Sequence, residues 1–496
     1  MELNGIVQSL DNTSILVTGS TGFLSKTNNT NLAIVFVEKL LRVQPNMKQL
    51  FLLLRPADAS SATQRLRNDV TGKEVFRVLR KKHGLGFDSF ISEKVTPVFG
   101  DISLENLGIK DSALRKKIHK EVQIVANFTA TTNLDERYDV ALDVNTMGAK
   151  HVFDLAEKCE NLEMILQKST AYIHTGETPG VILEKPFDIC QTMKETSKIL
   201  DIDEERRLVR DRLNELKAAQ ASKKQETAAM KELGAERAKL YGWQNTYAIT
   251  KAMGEMIISR SLKRNIPVEI ARPTIVSSTY REPFPGWIEG VKTFDPFVIY
   301  SGRGKLPCLL GNHESFLDII PGDMVVNAVI VAMVNHTKSN NRSVSGVDEE
   351  DENHNYRYIY HLGSSANREK MNIIKVVKYA CEYFCKNPLM DKHGNVVDIV
   401  KTVFFPTMAS FRQHINDNYV LPKKRECNLI GVSLNNPCSF DDSATEELRM
   451  WMKANGSEEA DMFDFDPKHI DWKEYMLNIH IPRLMKYVIE GFNSTN

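Results

Sequence analysis

The amino-acid sequence predicts an α/β fold: a Rossmann-type, doubly wound parallel sheet with a charged helical insertion, followed by a smaller, mainly helical C-terminal domain. Three observations carry this. An apolar run, Ile15 to Val17, closes in Thr18-Gly19 and opens a glycine-rich turn. Beyond it, short apolar runs alternate with helical stretches, the pattern of βαβ units and a parallel sheet. From about Asn367 the composition changes to amphipathic helices, beginning with Ile373, Val376, Val377, Ala380 and Phe384.

In the turn, Gly19, Gly22 and Ser25 occupy the three positions of a G-x-x-G-x-x-G loop. Glycines there let backbone N–H groups approach a pyrophosphate at a helix N-terminus, where the dipole favours negative charge. A second strand, Gln49 to Leu54, ends on Arg55. A basic residue at that point suits a 2′-phosphate, so NADP is favoured over NAD. One stretch resists the pattern. Thr27-Asn28-Asn29-Thr30-Asn31 lies where the first helix should propagate, and both residue types compete for backbone hydrogen bonds. The apolar helical pattern resumes only at Val35, so Thr27 to Ile34 read as a spacer bulging ahead of a restarted helix.

A charged surface helix is expected to about residue 90, then a third strand from Val95 to Phe99. It ends in Gly100-Asp101-Ile102, where the aspartate is placed to accept from an adenine amino group or is a plain loop residue. Val122 to Asn127 is a fourth strand leading into FTATTNLDERYD, whose small residues would let a cofactor pass closely. Asp143 to Gly148 opens the next helix. A fifth strand from Met164 runs into Ser169-Thr170-Ala171-Tyr172, with Lys168 out of place where a central parallel strand is normally apolar. From about 193 to 240 Glu, Lys, Arg and Ala dominate, and Asp203 to Ala219 and Gln225 to Lys239 read as two solvated helices joined near Ser222. Tyr247 and Lys251 follow on a helix opening at Asn245; four residues apart, they share one face. An ammonium beside a phenol stabilises its anion and lowers a pKa that starts near 10, fitting it for general-acid work. Val268 to Ala271 is a sixth strand, running into Arg272-Pro273-Thr274, and Tyr356 to Leu362 another.

Lys+Arg and Asp+Glu both number 64, so nothing in the charge balance points to nucleic acid or a polybasic membrane surface as the main partner. Seven cysteines are scattered without metal-type CxxC pairs; Cys381 and Cys385, one helical turn apart, are expected to pack in a core. That usage suits a reduced, intracellular compartment. The N-terminus reads neither as a signal nor as a transit peptide. Phe316 to Val334 is apolar but holds Asp318, Pro321 and Asp323, which predicts a strand and buried helix rather than a membrane span. Domains are expected at 1–365 and 366–496.

TGSTGFLSK, ATTNLDERYDVALDVNT, KSTAY, GVILEKPF, NTYAITKAMGEM, ARPTIVSSTYREPFPGWIEG and HIDWKEYMLNIHIPRL together resemble the plant alcohol-forming fatty acyl-CoA reductases, extended members of the short-chain dehydrogenase/reductase superfamily. The resemblance covers essentially the whole chain. It implies reduction of a long-chain acyl-CoA to a primary alcohol through a bound aldehyde, with NADPH as cofactor and no metal. The family's dinucleotide loop falls on Gly19, Thr21, Gly22, Phe23 and Leu24, with Arg55, Asp101, Ile102 and Asn145 as further cofactor positions. Its catalytic tyrosine and lysine fall on Tyr247 and Lys251, and its hydroxyl residue on Thr170 with Ser169 adjacent. Lys251 would also hold the nicotinamide ribose, and Pro273 would border the nicotinamide. An acyl tunnel or membrane-facing surface in the C-terminal helices, and a place in the cytoplasm or on the cytosolic face of the endoplasmic reticulum, follow only from the resemblance.

The chain departs from the family in two places. The spacer intervenes where the loop lysine normally leads straight into VFVEK, and QKSTAYIHTG carries Lys168 for an apolar residue with one extra residue after it. The rival reading is therefore a weakly active or inactive homologue of the reductase fold. A third, an extended reductase of sugar nucleotides or small carbonyls, would lack the long C-terminal part.

Overall fold

The computed structural model describes residues 5–20, 32–55, 62–174, 180–187, 192–194, 196, 199–261, 266–291, 293–339, 357–418, 439–455 and 459–493. Its centre is a seven-stranded, wholly parallel sheet. The strands are β1 (Ser14–Thr18), β2 (Gln49–Leu54), β3 (Val95–Phe99), β4 (Ile124–Asn127), β5 (Met164–Lys168), β6 (Val268–Pro273) and β7 (Arg357–Leu362). Their spatial order is β7-β6-β5-β4-β1-β2-β3. The order reverses between β1 and β4, and a dinucleotide binds across such a switch point at the carboxyl ends of the strands. β1 is buried along its whole length, as expected of a central parallel strand covered on both faces.

Helices clothe both faces. On one, α1 (Leu32–Val43) and α6 (Gly322–Ser339) pack on the sheet in a core that continues into the C-terminal helices α7 (Ile373–Lys386), α8 (Ser443–Asn455) and α9 (Ile481–Asn493). On the other face α2 (Gly148–Ala156) meets Leu16, Val125 and Ile165. The acidic and basic helices of the insertion form as expected: α3 (Ile202–Ala218) is capped by Asp201, and α4 (Lys223–Tyr241) opens with a capping box between Ser222 and Gln225. Gly242, at φ 89°, stops α4 in the left-handed conformation that glycine adopts without a Cβ penalty. The insertion has an inner side as well as a solvated one. Glu205 is buried and accepts from Tyr138 Oη at 2.8 Å and Arg237 Nε at 3.0 Å, which pins both helices against the Rossmann core.

Two expectations need correction. α1 already runs from Leu32, and Leu32, Ala33 and Ile34 are 3% exposed or less. They belong to the core and not to the spacer, because their side chains extend the apolar face that packs on the sheet. The rest of the predicted spacer, Thr27 to Asn31, lies outside the described residues. α1 is buried on nearly every side, so even its Lys39 is enclosed, neutralised by Glu282 and held against the Met462 carbonyl. The second correction concerns cysteine: Cys381 is half-buried and Cys385 is exposed, so they do not pack together in a core.

Candidate active site

β5 ends in Lys168, and Ser169 and Thr170 continue beyond it over the carboxyl edge of the sheet. Thr170 Oγ1 donates to the Pro273 carbonyl at 3.4 Å and accepts from the Tyr172 N–H at 3.4 Å, and it lies close enough to the Tyr247 hydroxyl to favour its anion. Ser169 is fully buried, and its Oγ has no hydrogen-bond partner. The structure therefore brings Thr170, Pro273 and Tyr247 together and leaves the Ser169 hydroxyl out of that group. Ser169→Ala is expected to leave kcat within about twofold, whereas Thr170→Val should lower it by about tenfold or more. Steady-state kinetics on the two variants checks this, and the reverse order would transfer the role to Ser169.

Tyr247 and Lys251 lie on one face of α5 (Thr246–Ser261). Lys251 is buried and its ammonium donates to the Lys168 carbonyl at 2.8 Å. Burial lowers its pKa to about 7; the Lys168 charge adds repulsion and Glu255 opposes it. Tyr247 does not behave as the sequence suggests. Burial pushes its phenol above the ordinary range, only partly offset by Thr170, so it is held protonated rather than acidified.

Asn145 occupies a π-helical turn, Leu142–Met147, a form that recurs at functional sites. Its Oδ1 accepts from Thr131 N at 3.0 Å, and its Nδ2 donates to Thr131 O at 3.1 Å and Thr250 Oγ1 at 3.0 Å. One side chain thus fixes the loop after β4 against the helix of Tyr247. Gly254 allows that approach: a Cβ there would stand 2.5 Å from the Asn145 carbonyl. A second set of bonds crosses the sheet edge. Thr129 Oγ1 donates to Thr18 Oγ1, Thr18 Oγ1 to Asn127 Oδ1, and Asn127 Nδ2 to Gln167 Oε1, at 2.9, 2.6 and 2.8 Å. Sequence reasoning missed Asn127 and Gln167; polar residues closing otherwise apolar strands were the signal available.

The dinucleotide end is consistent with the ligand the turn predicts. Gly19 has φ +87°, and a Cβ on it would lie 2.8 Å from the Phe128 carbonyl carbon and the Thr129 nitrogen, so only glycine keeps the β1 turn this close to the β4 loop. Thr21, Gly22, Phe23 and Leu24 lie outside the described residues. Arg55 and Asp101 meet: Arg55 Nε donates to Asp101 Oδ2 at 2.7 Å, while Asp101 Oδ1 accepts from the Ser103 N–H and hydroxyl. These bonds hold the Asp101 carboxyl below its usual range despite burial. Ile102 packs against Gly148, and its carbonyl contacts His151 Nδ1 at 3.0 Å, so its side chain serves packing. Behind the site Arg272, fully buried, is gripped by Glu255 through Nε at 3.2 Å and Nη2 at 2.6 Å. Among the described residues no group of His, Cys, Asp and Glu is arranged to hold a metal ion, and no helix is long and apolar enough to cross a membrane.

Residues 17–329 match the NAD-binding family described as Male sterility protein. The fold is also that of the terminal R domain from the myxalamid PKS-NRPS biosynthetic pathway, at a TM-score of 0.58 and 15% identity over 97% of this chain and 92% of that one. Fold and family model together define a Rossmann-type domain that takes a nicotinamide dinucleotide. Probable fatty acyl-CoA reductase 5 of Arabidopsis thaliana is 43% identical over 99% of this chain and 100% of its own length. The alcohol-forming fatty acyl-CoA reductase of Simmondsia chinensis is 42% identical over 98% and 99%. The chain belongs to the fatty acyl-CoA reductase family.

Proposed function

We propose that the protein reduces long-chain fatty acyl-CoA to the primary fatty alcohol with NADPH, passing through a bound aldehyde and releasing CoA. The observation that carries this is the meeting of Tyr247 and Thr170 hydroxyls beside Pro273, at the edge of a dinucleotide-type sheet. The bound dinucleotide supplies hydride. Tyr247 and Thr170 donate hydrogen bonds to the thioester oxygen as negative charge grows on it, in a site built before the reaction begins. Collapse of that adduct expels CoA as the thiolate. The same two hydroxyls serve the aldehyde, and Tyr247, kept protonated by burial, gives its proton to the alkoxide. Lys251 stands one helical turn away, where it can hold the nicotinamide ribose. Asn145 keeps the loop after β4 in register with Tyr247.

NADPH over NADH rests on Arg55, whose guanidinium is held by Asp101 through Nε alone at the end of β2. That leaves its outer nitrogens for a 2′-phosphate, a charge-assisted and potentially bidentate contact. Arg55→Ala should weaken NADPH by about tenfold or more and NADH by much less, as read by fluorescence titration; equal losses would make the arginine structural. We also place a domain boundary near 365/366 and expect peripheral association with the cytosolic face of the endoplasmic reticulum, because an acyl chain and its alcohol partition into lipid. The test is the purified protein with NADPH and a panel of acyl-CoAs of different chain length, quantifying alcohol and aldehyde. Alcohol from long chains supports the reading; no reduction of any acyl-CoA overturns it.

A further inference from the structure

Lys168 is the last residue of β5 and is 8% exposed. Its carbonyl is taken by Lys251, but its ammonium makes no hydrogen bond or ion pair with any described residue. Pairing with Ala271 on β6 puts its side chain on the sheet face of Leu166 and Ala271, the face covered by α1 and α6. Gln167 turns the other way, to Asn127.

No carboxylate among the described residues compensates this charge. Glu255 is bound by Arg272. Glu269, paired with Leu166 one step back on the same face, has neither oxygen hydrogen-bonded, and burial raises its pKa so far that it is a neutral acid. Lys251, lowered to about 7 and so only partly charged at neutral pH, offers repulsion and no counter-charge. Burial alone lowers Lys168 to about 8, so at neutral pH it is still largely charged. Removing an ion from water costs several kcal/mol unless a counter-charge repays it. An almost wholly buried ammonium at the carboxyl edge of the sheet, with no carboxylate partner among the described residues, is a cation short of an anion.

Its place in the sheet says which anion. β5 adjoins β4, and β4 adjoins β1. The Phe128-Thr129 segment that follows β4 packs directly on Gly19. Lys168 stands on the far side of that segment, about 10 Å across the sheet from β1 at a strand spacing of about 4.8 Å. A dinucleotide crossing the switch point from Arg55 toward Tyr247 carries its pyrophosphate over this region.

We propose that Lys168 is the counter-ion for the phosphate on the nicotinamide side of the dinucleotide, so that this chain grips the pyrophosphate with a side-chain cation. The proposal rests on the cofactor reading above. It assigns a role to a residue that breaks the apolar pattern of β5 and gives a physical reason for tolerating it.

The test uses the full chain and measures binding rather than turnover. NADPH and 2′,5′-ADP, which lacks the nicotinamide-side phosphate, are titrated against wild type, Lys168→Met and Lys168→Arg. Loss of one charge-assisted bond should raise the NADPH Kd about tenfold in Lys168→Met. Lys168→Arg should stay within about threefold, and 2′,5′-ADP should bind all three alike. Without nucleotide, Lys168→Met should melt higher than wild type, because an unpaired buried charge is gone. The gain should be larger at about pH 6.5 than at about pH 9, since a lysine with a lowered pKa costs stability while it is charged. An NADPH Kd unchanged in Lys168→Met, or equal losses for both nucleotides, overturns the proposal alone. A wild type that binds neither nucleotide overturns the cofactor reading and the proposal together.

Discussion

Tyr247→Phe is expected to lower kcat by about a hundredfold or more while NADPH still binds. The substitution keeps the ring, so the packing of α5 is preserved, and removes only the hydroxyl that meets Thr170. That hydroxyl is asked to do two things: stabilise an oxyanion on the thioester, and protonate an alkoxide when the aldehyde is reduced. Removal of one preorganised donor typically costs about 10²–10³ in rate. Burial keeps the phenol protonated across the neutral range, so the loss should be nearly independent of pH there. Rapid-quench measurement of alcohol formation, paired with NADPH titration, separates chemistry from binding. Alcohol formation at the wild-type rate would remove Tyr247 from the mechanism.

Glu255→Ala is expected to have the largest effect on stability, about 3–5 kcal/mol. Arg272 and Glu255 are 0% and 2% exposed and form a two-point ion pair beneath the site. The cost comes less from the lost attraction than from the guanidinium left charged in a low-dielectric interior. Arg272 precedes Pro273, whose carbonyl holds Thr170, so a displaced Arg272 should also loosen the hydroxyl pair. Urea denaturation reads the stability, and a midpoint within experimental error of wild type would contradict it. The double variant Glu255→Ala with Arg272→Met should recover part of the loss, since the unpaired charge is then removed.

The sheet was legible because buried parallel strands are written as short apolar runs. Gln49 to Leu54 and Val95 to Phe99 are found with the bounds expected of them. The two insertion helices were legible from their charged faces and from Ser222, a residue suited to start a helix. What escaped was set by tertiary context. Leu32 to Ile34 follow a run of Asn and Thr, and only their packing on the sheet shows that they begin α1. Tyr247 and Lys251 are found on one helix four residues apart, but the sequence carries no measure of desolvation, and burial, only partly offset by Thr170, sets the phenol. Arg55 and Asp101 were each singled out for the nucleotide; their mutual ion pair joins residues far apart in the chain. Ser169 and Thr170 are neighbours in sequence with different surroundings: Thr170 bonds the Pro273 carbonyl, while the buried Ser169 hydroxyl has no partner, a difference that tertiary contacts alone decide.

The central claim is that one set of hydroxyls at the β5 edge carries both reductions. It is tested most directly by a single-turnover reaction of the purified protein with a long-chain acyl-CoA and excess NADPH. NADPH oxidised, CoA thiol released, aldehyde and alcohol are followed in the same sample. Two NADPH consumed for each CoA released, with alcohol as the product and both steps lost in Tyr247→Phe, is the predicted result. One NADPH per CoA with free aldehyde accumulating, or a Tyr247→Phe variant that still turns added aldehyde into alcohol at the wild-type rate, would contradict it.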